Sequence, residues 1–340
     1  MPIPGIPDPA VPYGSTIVIT GCSGFIGSHV ADQVLSAGYR VRGTSRDVVK
    51  NKWIADFFAA RHGEGKFELV EVPDLTKDDA FVEVVKGAQG FIHVAHEMHG
   101  SGDPATAIPL AVGMALSALK TAAAAGIKRF VYTSSSFAVT QPKPNVSFSV
   151  DEDTFNEDAV RAVREKGKDA GGATVYAASK VEVERAMQKW MTESKSPIEI
   201  CCVNPNGNLG PVLQPKYQGY PTTAGWVKNI WDGEYGALKR QPEHFIDVRD
   251  DAKLHVIALA HPGLKGRRLL GMVAPAPIDA IIGILRGLYP ERKFEDFEVE
   301  GEDRIENRMK GEVEGLLREA YGHGYTRLED SVEANAKELS

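Results

Sequence analysis

The feature that most constrains this chain is an apolar run followed at once by three regularly spaced glycines. Residues 16–20 read TIVIT and residues 21–27 read GCSGFIG. The apolar run predicts a strand buried on both faces, as in a parallel sheet. Gly21, Gly24 and Gly27 predict a tight turn, a close approach of the backbone to a phosphate group, and a helix packed closely on the strand. The segment is thus typical of a dinucleotide-binding unit.

The rest of the chain repeats this alternation of short apolar runs and longer helical patterns. Strands are predicted at residues 40–44, 67–72, 90–95, 129–133 and 198–203. Helices are predicted at residues 26–37, 79–86, 105–125, 158–168, 177–194, 278–288 and 303–321. Strands alternating with helices indicate an α/β fold, a Rossmann-type doubly wound parallel sheet, with a smaller and mostly C-terminal substrate-binding region.

The same pattern suggests how the chain is divided. We expect an extended N-terminal arm over residues 1–13, since four prolines precede residue 10. A dinucleotide-binding domain would cover residues 14–205, with a loop and helix insertion at 141–172. Residues 206–340 would form the substrate-binding region, with residues 240–260 returning to the first domain.

Composition narrows the class of protein. The 340 residues carry 39 Lys and Arg against 46 Asp and Glu, a formal charge of -7, which argues against nucleic-acid binding. The N-terminus lacks the pattern of a signal peptide, and the longest uncharged run, residues 104–119, is shorter than a membrane span of roughly 20 residues. Three cysteines are too few for a disulfide framework. A cytoplasmic protein with no membrane segment is expected.

The second strand indicates which dinucleotide is bound. A protein that prefers NAD usually has an acidic residue about 20 residues after the glycines, whereas here Arg42 and Arg46 occupy that region. Two guanidinium groups favour a 2′-phosphate, and therefore NADP, although Asp47 and a solvated basic turn leave the alternative open.

Further cofactor contacts are predicted along the strand ends. In the glycine loop they are Gly21, Ser23, Gly24, Phe25, Ile26 and Gly27, with a purely structural glycine turn as the alternative. After later strands they are Asp74, Leu75, Val94, Ala95 and Thr133, with a loop cap or ordinary core as the alternative.

Residues 175–180, VYAASK, place a tyrosine and a lysine one helical turn apart. A nearby ammonium is expected to lower the pKa of the Tyr176 phenol, so that Tyr176 exchanges a proton with a carbonyl oxygen. Lys180 would also bind the nicotinamide ribose. A hydroxyl from residues 133–136, TSSS, would hold the substrate carbonyl, unless this run is only a polar turn.

Taken together, TGCSGFIG, VRGTSRD, RFVYTSSS, YAASK and FIDVRD resemble the extended short-chain dehydrogenase/reductase family in order and spacing, over residues 14–330. The sequence is most similar to the dihydroflavonol-reductase-like branch and its fungal NADPH-dependent aldehyde and ketone reductases. The resemblance implies Ser135, Tyr176 and Lys180 as catalytic residues, with Ser136 as the fallback. It also implies Pro205 beside the nicotinamide and hydride transfer to a carbonyl carbon.

Several residues depart from the family pattern or stay ambiguous. Residues 109–114 lack the asparagine of the family's proton relay, and residues 96–99, HEMH, are atypical. Substrate contacts are predicted at His96, Ser136, Asn206, Trp226 and Phe245, with a solvated loop or core packing as the alternative. His96 and His99 have no evident third ligand, so no metal is expected.

Two other functions remain open on the sequence. An epimerase or dehydratase of nucleotide sugars would retain NAD, which Arg42 and Arg46 disfavour. A redox sensor that binds NADP without catalysis would not require Tyr176 and Lys180. The expected partner is a small carbonyl compound, and the chain would be a monomer or a homodimer.

Overall fold

A computed structural model of the chain describes residues 2–96, 102–241 and 243–340. Over these ranges the chain forms twelve strands. They are β1 (Thr16–Thr20), β2 (Arg40–Ser45), β3 (Phe67–Glu71), β4 (Gly90–His93), β5 (Arg129–Thr133), β6 (Ser147–Val150), β7 (Glu199–Pro205), β8 (Gly207–Leu209), β9 (His244–Asp247), β10 (Arg268–Gly271), β11 (Ala274–Pro275) and β12 (Arg304–Asn307).

Eleven α-helices connect and cover these strands within the same ranges. They are α1 (Phe25–Ser36), α2 (Lys52–His62), α3 (Pro104–Ala124), α4 (Glu157–Lys166), α5 (Gly172–Ser194), α6 (Pro215–Gln218), α7 (Ala224–Asp232), α8 (Val248–Ala260), α9 (Ile278–Leu288), α10 (Lys310–Tyr321) and α11 (Leu328–Ala336).

Seven parallel strands form the central sheet, in the order β10-β7-β5-β4-β1-β2-β3. The inner strands β1, β4 and β5 are almost completely buried, because helices cover both faces. On one face α1 packs against α8, and on the other α3 packs against α5. The predicted Rossmann-type α/β fold is confirmed.

Two small sheets lie beside the central one. The first has the order β11-β9-β8, and the second pairs β12 with β6 in parallel. Both combine segments that are distant in sequence. These additional sheets are formed by segments after β7 together with β6, while the domain boundaries expected from the sequence remain a prediction.

The structure corrects several predicted elements. Residues 79–86 form successive turns instead of a helix, and the helix predicted at residues 303–321 is split into β12 and α10. The sequence pattern also missed α2 and the edge strand β10. Residues 2–12 lie against the core, where Ile3, Ile6 and Val11 are buried.

One helix, α3, is long and apolar enough to span a bilayer by length and composition, among the residues described. In this fold it packs along α5, and Ala115, Ala118 and Leu119 face the core of the sheet. A core helix of an α/β protein has the same length and composition.

Candidate active site

The candidate site lies where the direction of the chain across the sheet reverses. From β1 the chain continues outward to β2 and β3, and β4 then pairs with the other side of β1. Gly21 and Ala95 follow the carboxyl ends of these neighbouring strands, and the Ala95 N–H donates to the Thr20 hydroxyl at 3.0 Å. Ligands of open α/β sheets bind in the crevice at such a reversal.

Glycine is favoured at each of the three positions of the loop for a different physical reason. Gly21 has a φ of +68°, which only glycine adopts without strain. A Cβ on Gly27 would lie 2.1 Å from the Gly21 carbonyl oxygen, so α1 can approach the turn only with glycine there. Gly24 is exposed, and a Cβ there would meet only the Gly21 oxygen, at 3.3 Å. This open face can admit a large ligand.

The start of α1 has the properties of an anion site. Gly24 precedes the helix, and no side chain caps its first turn. The first N–H groups of a helix lack intrahelical partners and carry its positive dipole end. The loop therefore fits a dinucleotide pyrophosphate, which Gly21, Ser23, Gly24, Phe25, Ile26 and Gly27 would hold through the backbone.

Cys22 in this loop has a structural role. Its side chain is buried, its Sγ lies 3.4 Å from the Thr44 carbonyl oxygen, and burial raises the pKa of its thiol to about 12. A Cβ on Gly43 would lie 2.6 Å from that sulfur. Cys22 and Gly43 thus pack β2 against the loop, and the thiol stays protonated.

The two arginines predicted to bind a 2′-phosphate lie in different environments. Arg42 donates to Glu68 at 2.8 Å and to the backbone carbonyls of Val84 and Lys86. Arg46 is exposed in the turn after β2, and within the described ranges no hydrogen bond or ion pair involves its side chain. Arg46 is thus the freer of the two guanidinium groups.

The other predicted contacts at the strand ends occupy ordinary structural positions. The Asp74 carboxylate accepts hydrogen bonds from the Thr76 N–H and hydroxyl, and these bonds lower its pKa. Leu75 packs partly buried against the core, and Val94 lies partly buried at the end of β4. Pro205 ends β7 opposite Gly271 of β10.

The structure brings Ser135 and Tyr176 together. Ser135 follows β5, its hydroxyl accepts the Phe137 N–H at 3.1 Å, and its side chain lies close enough to the Tyr176 hydroxyl to lower the pKa of that phenol. Phe137 and His96 lie edge-on to the Tyr176 ring, with centroids at 6.2 and 5.2 Å. The Ser136 hydroxyl is buried and makes no hydrogen bond to any described residue.

The predicted influence of Lys180 on Tyr176 is not what the structure shows. Desolvation raises the pKa of Tyr176, and the nearby Ser135 side chain only partly offsets this effect. The Lys180 Nζ donates to the Thr133 carbonyl at 2.8 Å and to the Tyr132 hydroxyl at 3.2 Å. Burial lowers the pKa of Lys180 to about 7, against the opposing effect of Glu184. Near neutral pH, Lys180 is therefore only partly charged.

Behind Ser135 and Lys180 lies a buried polar cluster that the sequence analysis missed. Glu184 accepts hydrogen bonds from the Ser134 hydroxyl, from the Asn204 amide at 2.7 Å and from Arg268 at 2.6 Å. Asn204 also donates to the Ser135 carbonyl at 3.2 Å. Glu184 follows Lys180 by four residues on the same helix face, which was the available sequence signal.

A second series of buried polar contacts lies behind β5. The Thr133 hydroxyl is 2.7 Å from Nε2 of His255, whose Nδ1 is 2.8 Å from the Asp251 carbonyl oxygen. These contacts fix the side chain of Thr133, while its carbonyl accepts a hydrogen bond from the Lys180 Nζ. The spacing of Thr133, Asp251 and His255 in sequence gives no signal of this contact.

Of the predicted substrate residues, His96 is placed directly at Tyr176. Its pKa is held well below the ordinary value by desolvation and by the positive charge of Lys180, so its imidazole is neutral. His99 lies outside the described residues. Among those described, no group of three or more His, Cys, Asp or Glu side chains is arranged to hold a metal ion.

The other predicted substrate residues converge on Gly207. Asn206 precedes it and accepts its N–H through the side chain at 2.7 Å. Trp226 is in contact with Gly207, and Phe245 pairs with it across β8 and β9. Trp226 and Phe245 are buried, and their contact with a substrate remains a prediction.

The strand reversal, the glycine turn and the Ser–Tyr–Lys arrangement define a Rossmann-type oxidoreductase. A profile of the NAD dependent epimerase/dehydratase family matches residues 17–269. The chain belongs to this family, and the resemblance to extended short-chain dehydrogenases/reductases is confirmed.

Relatives cover almost the whole chain. Aldehyde reductase 2 of Sporidiobolus salmonicolor is 33% identical over 334 residues, 96% of this chain and 96% of its own. Ketoreductase adrE of Penicillium rubens is 36% identical over 333 residues, 95% of this chain and 96% of its own. Yeast methylglyoxal/isovaleraldehyde reductase Gre2, solved in complex with NADPH, is 21% identical with a TM-score of 0.79, over 95% of this chain and 98% of its own.

Proposed function

We propose that this protein reduces aldehydes or ketones to alcohols with NADPH. The observation that carries the proposal is the proximity of the Ser135 and Tyr176 side chains, with Lys180 beside the Tyr176 ring, at the carboxyl end of β5. In this proposal Tyr176 is the proton donor and Ser135 the carbonyl-orienting hydroxyl, next to the crevice that fits a dinucleotide. The names of the relatives, an aldehyde reductase and ketoreductases, support the same reaction.

Each residue of the site would have its own role in the reaction. Ser135 donates a hydrogen bond to the substrate carbonyl oxygen and holds it against Tyr176. Tyr176, whose pKa is raised by burial, keeps its proton near neutral pH and transfers it to that oxygen. NADPH, when bound, would supply the hydride for the carbonyl carbon and would leave as NADP⁺.

NADPH is preferred in this proposal because a basic side chain follows β2 where an acidic residue would bind the ribose hydroxyl of NAD. Arg46 is the candidate for the 2′-phosphate, since Arg42 is held by Glu68. Lys180 would bind the nicotinamide ribose, and Val94, Ala95, Thr133 and Pro205 would line the crevice. We further propose a cytoplasmic location.

The substrate would be a small aldehyde or ketone with an apolar or aromatic group. His96 and Phe137 lie against Tyr176, and they supply an uncharged imidazole and an aromatic face next to the reacting carbonyl. Asn206, Trp226, Phe245 and Ser136 would complete this pocket.

The test is steady-state oxidation of NADPH and of NADH with small aldehydes, α-keto esters and aryl ketones. Tyr176→Phe removes only the proton donor, so we expect turnover to fall about a hundredfold or more. Tyr289→Phe is the matched control, because Tyr289 packs on Trp231, away from the site, and its turnover should equal that of the wild type.

NADPH-dependent turnover that is lost in Tyr176→Phe and kept in Tyr289→Phe supports the proposal. Tightly bound NAD in the purified protein, with no carbonyl-dependent turnover, would instead favour an epimerase or dehydratase. NADPH binding without turnover of any carbonyl would favour a sensor.

A further inference from the structure

One side chain from the C-terminal half of the chain contacts the glycine loop directly. The Nε2 of Gln218, in α6, lies 3.1 Å from the carbonyl oxygens of Ser23 and Gly24 and 3.0 Å from the Ser28 hydroxyl. These contacts bridge about 190 residues of sequence. They join a segment outside the first βα unit to the turn that fits the pyrophosphate.

The surrounding hydrogen bonds fix the orientation of the Gln218 amide. Its Oε1 accepts the Gln214 N–H at 3.0 Å, so its NH2 group faces the loop. The Ser28 hydroxyl donates to the Phe25 carbonyl at 3.0 Å, which leaves its oxygen free to accept from Gln218. The two amide protons of Gln218 are therefore shared among three acceptors, two carbonyls of the loop and the Ser28 hydroxyl of α1.

The Gly24 carbonyl accepts the Ser28 N–H at 2.9 Å as well as Gln218, and its orientation determines where the next N–H group points. In a trans peptide the C=O of one residue and the N–H of the next point in opposite directions. When the Gly24 carbonyl faces Gln218, the Phe25 N–H must face the other side of the loop. That N–H belongs to the first turn of α1, whose free donors form the anion site.

The segment that carries Gln218 is attached to the dinucleotide-binding unit at two more points. The Pro211 carbonyl lies 2.8 Å from Nε2 of His29 in α1. Tyr217 stacks on Trp53 of α2 with ring centroids 5.2 Å apart and an interplanar angle of 1°. Residues 211–218 therefore contact both α1 and α2, and within this segment Gln218 contacts the glycine loop.

We propose that Gln218 is a positioning residue for the cofactor pyrophosphate. By holding the Gly24 carbonyl, it keeps the Phe25 N–H in the orientation that binds phosphate, and its contact with the Ser23 carbonyl steadies the turn before it. The inference rests on the proposed use of NADPH and adds a residue from the C-terminal half to that site.

The test compares the dissociation constants of NADPH and of 2′-AMP, which carries the 2′-phosphate but no pyrophosphate. In Gln218→Ala we expect the Kd of NADPH to rise about tenfold and the Kd of 2′-AMP to stay within about twofold. With NADPH saturating, kcat should stay near the wild-type value, because Gln218 does not touch the reacting groups.

Two further variants guard against a general loss of folding. Gln218→Glu keeps the size of the side chain and its acceptor for Gln214, but its carboxylate cannot donate to the loop, so it should show the same selective loss. Gln214→Ala, in the same segment, changes a side chain that contributes no described hydrogen bond to the loop and should bind like the wild type.

An unchanged Kd of NADPH in Gln218→Ala and Gln218→Glu would overturn the inference. An equal loss for NADPH and 2′-AMP would also overturn it, because it would indicate a disturbed fold and no specific role at the pyrophosphate. Binding is measured without a carbonyl compound, so a failure of the proposed reduction would be recognised separately by the absence of turnover.

Discussion

At the scale of single residues, the buried Lys180 makes the folded protein sensitive to pH. Its pKa is lowered to about 7 by burial, whereas lysine in an unfolded chain titrates at about 10.4. Between these values the unfolded state binds more protons, so the Lys180 contribution to stability rises with pH. Below pH 7 the folded protein must hold a buried ammonium group.

Lys180→Met removes the free-energy cost of the buried amine. We therefore expect the variant to be more stable than the wild type at pH 7. We also expect it to be inactive. Its advantage in the free energy of unfolding should shrink by up to about 1.4 kcal/mol for each pH unit above 7. Chemical denaturation from pH 6 to pH 9 measures this. Lys189→Met, at an exposed position of α5, is the control, and an advantage independent of pH would contradict the prediction.

The sequence indicates which residues meet at this site more reliably than it indicates their charge states. The spacing of Tyr176 and Lys180 predicts a shared helix face, and the structure has it. Lys180 lies deeper than this spacing implies, because the Thr133 carbonyl and Tyr132 attract its Nζ, and the register that places them there depends on tertiary pairing. Arg42 is likewise opposite Glu68 only because β2 pairs with β3.

At the scale of elements, the turn between β1 and α1 uses one glycine for close packing and another for ligand access. A Cβ on Gly27 would lie 2.1 Å from a backbone oxygen, whereas a Cβ on Gly24 would meet only one atom, at 3.3 Å. We expect Gly27→Ala to lower the free energy of unfolding by about 1–3 kcal/mol, the usual cost of overpacking.

Gly24→Ala is the matched variant. It should cost less than Gly27→Ala in thermal or chemical unfolding and should weaken NADPH binding, because the methyl group projects from the exposed face of the loop. Equal stability losses in the two variants, or unchanged NADPH binding in Gly24→Ala, would show that the two glycines do not differ as the geometry requires.

Strands with strong local patterns were predictable, and elements defined by distant partners were not. Residues 16–20 and 129–133 are apolar enough to be recognised alone. The strand β10 was missed because its four residues become a strand only by pairing with β7. Residues 79–86 have a helical pattern but form turns, which a local pattern cannot distinguish.

At the scale of the whole molecule, the pair of Glu184 and Arg268 connects α5 with β10 at the sheet edge. Both side chains are buried, and Arg268 also donates to the carbonyls of Glu152 and Thr154. Because Glu184 also holds Ser134 and Asn204, the pair joins α5, β5, β7 and β10 behind Ser135.

Arg268→Met leaves a carboxylate buried without its charge partner, and we expect a loss of about 3–5 kcal/mol in the free energy of unfolding. The double variant Glu184→Gln with Arg268→Met removes the unpaired charge and should recover part of that loss. Urea denaturation of the single and double variants measures it. No recovery in the double variant would mean that the Arg268 contacts with the backbone, and not the ion pair, carry the stability.

The burial of all three cysteines has a practical consequence for studying this protein. Cys22, Cys201 and Cys202 are buried, and burial raises the pKa of each thiol. A maleimide dye would therefore react with a cysteine introduced on the surface and leave the native thiols untouched. Val49, which is 84% exposed, lies three residues after Arg46. A dye attached at that position would report on the adenosine end of the cofactor in otherwise native protein.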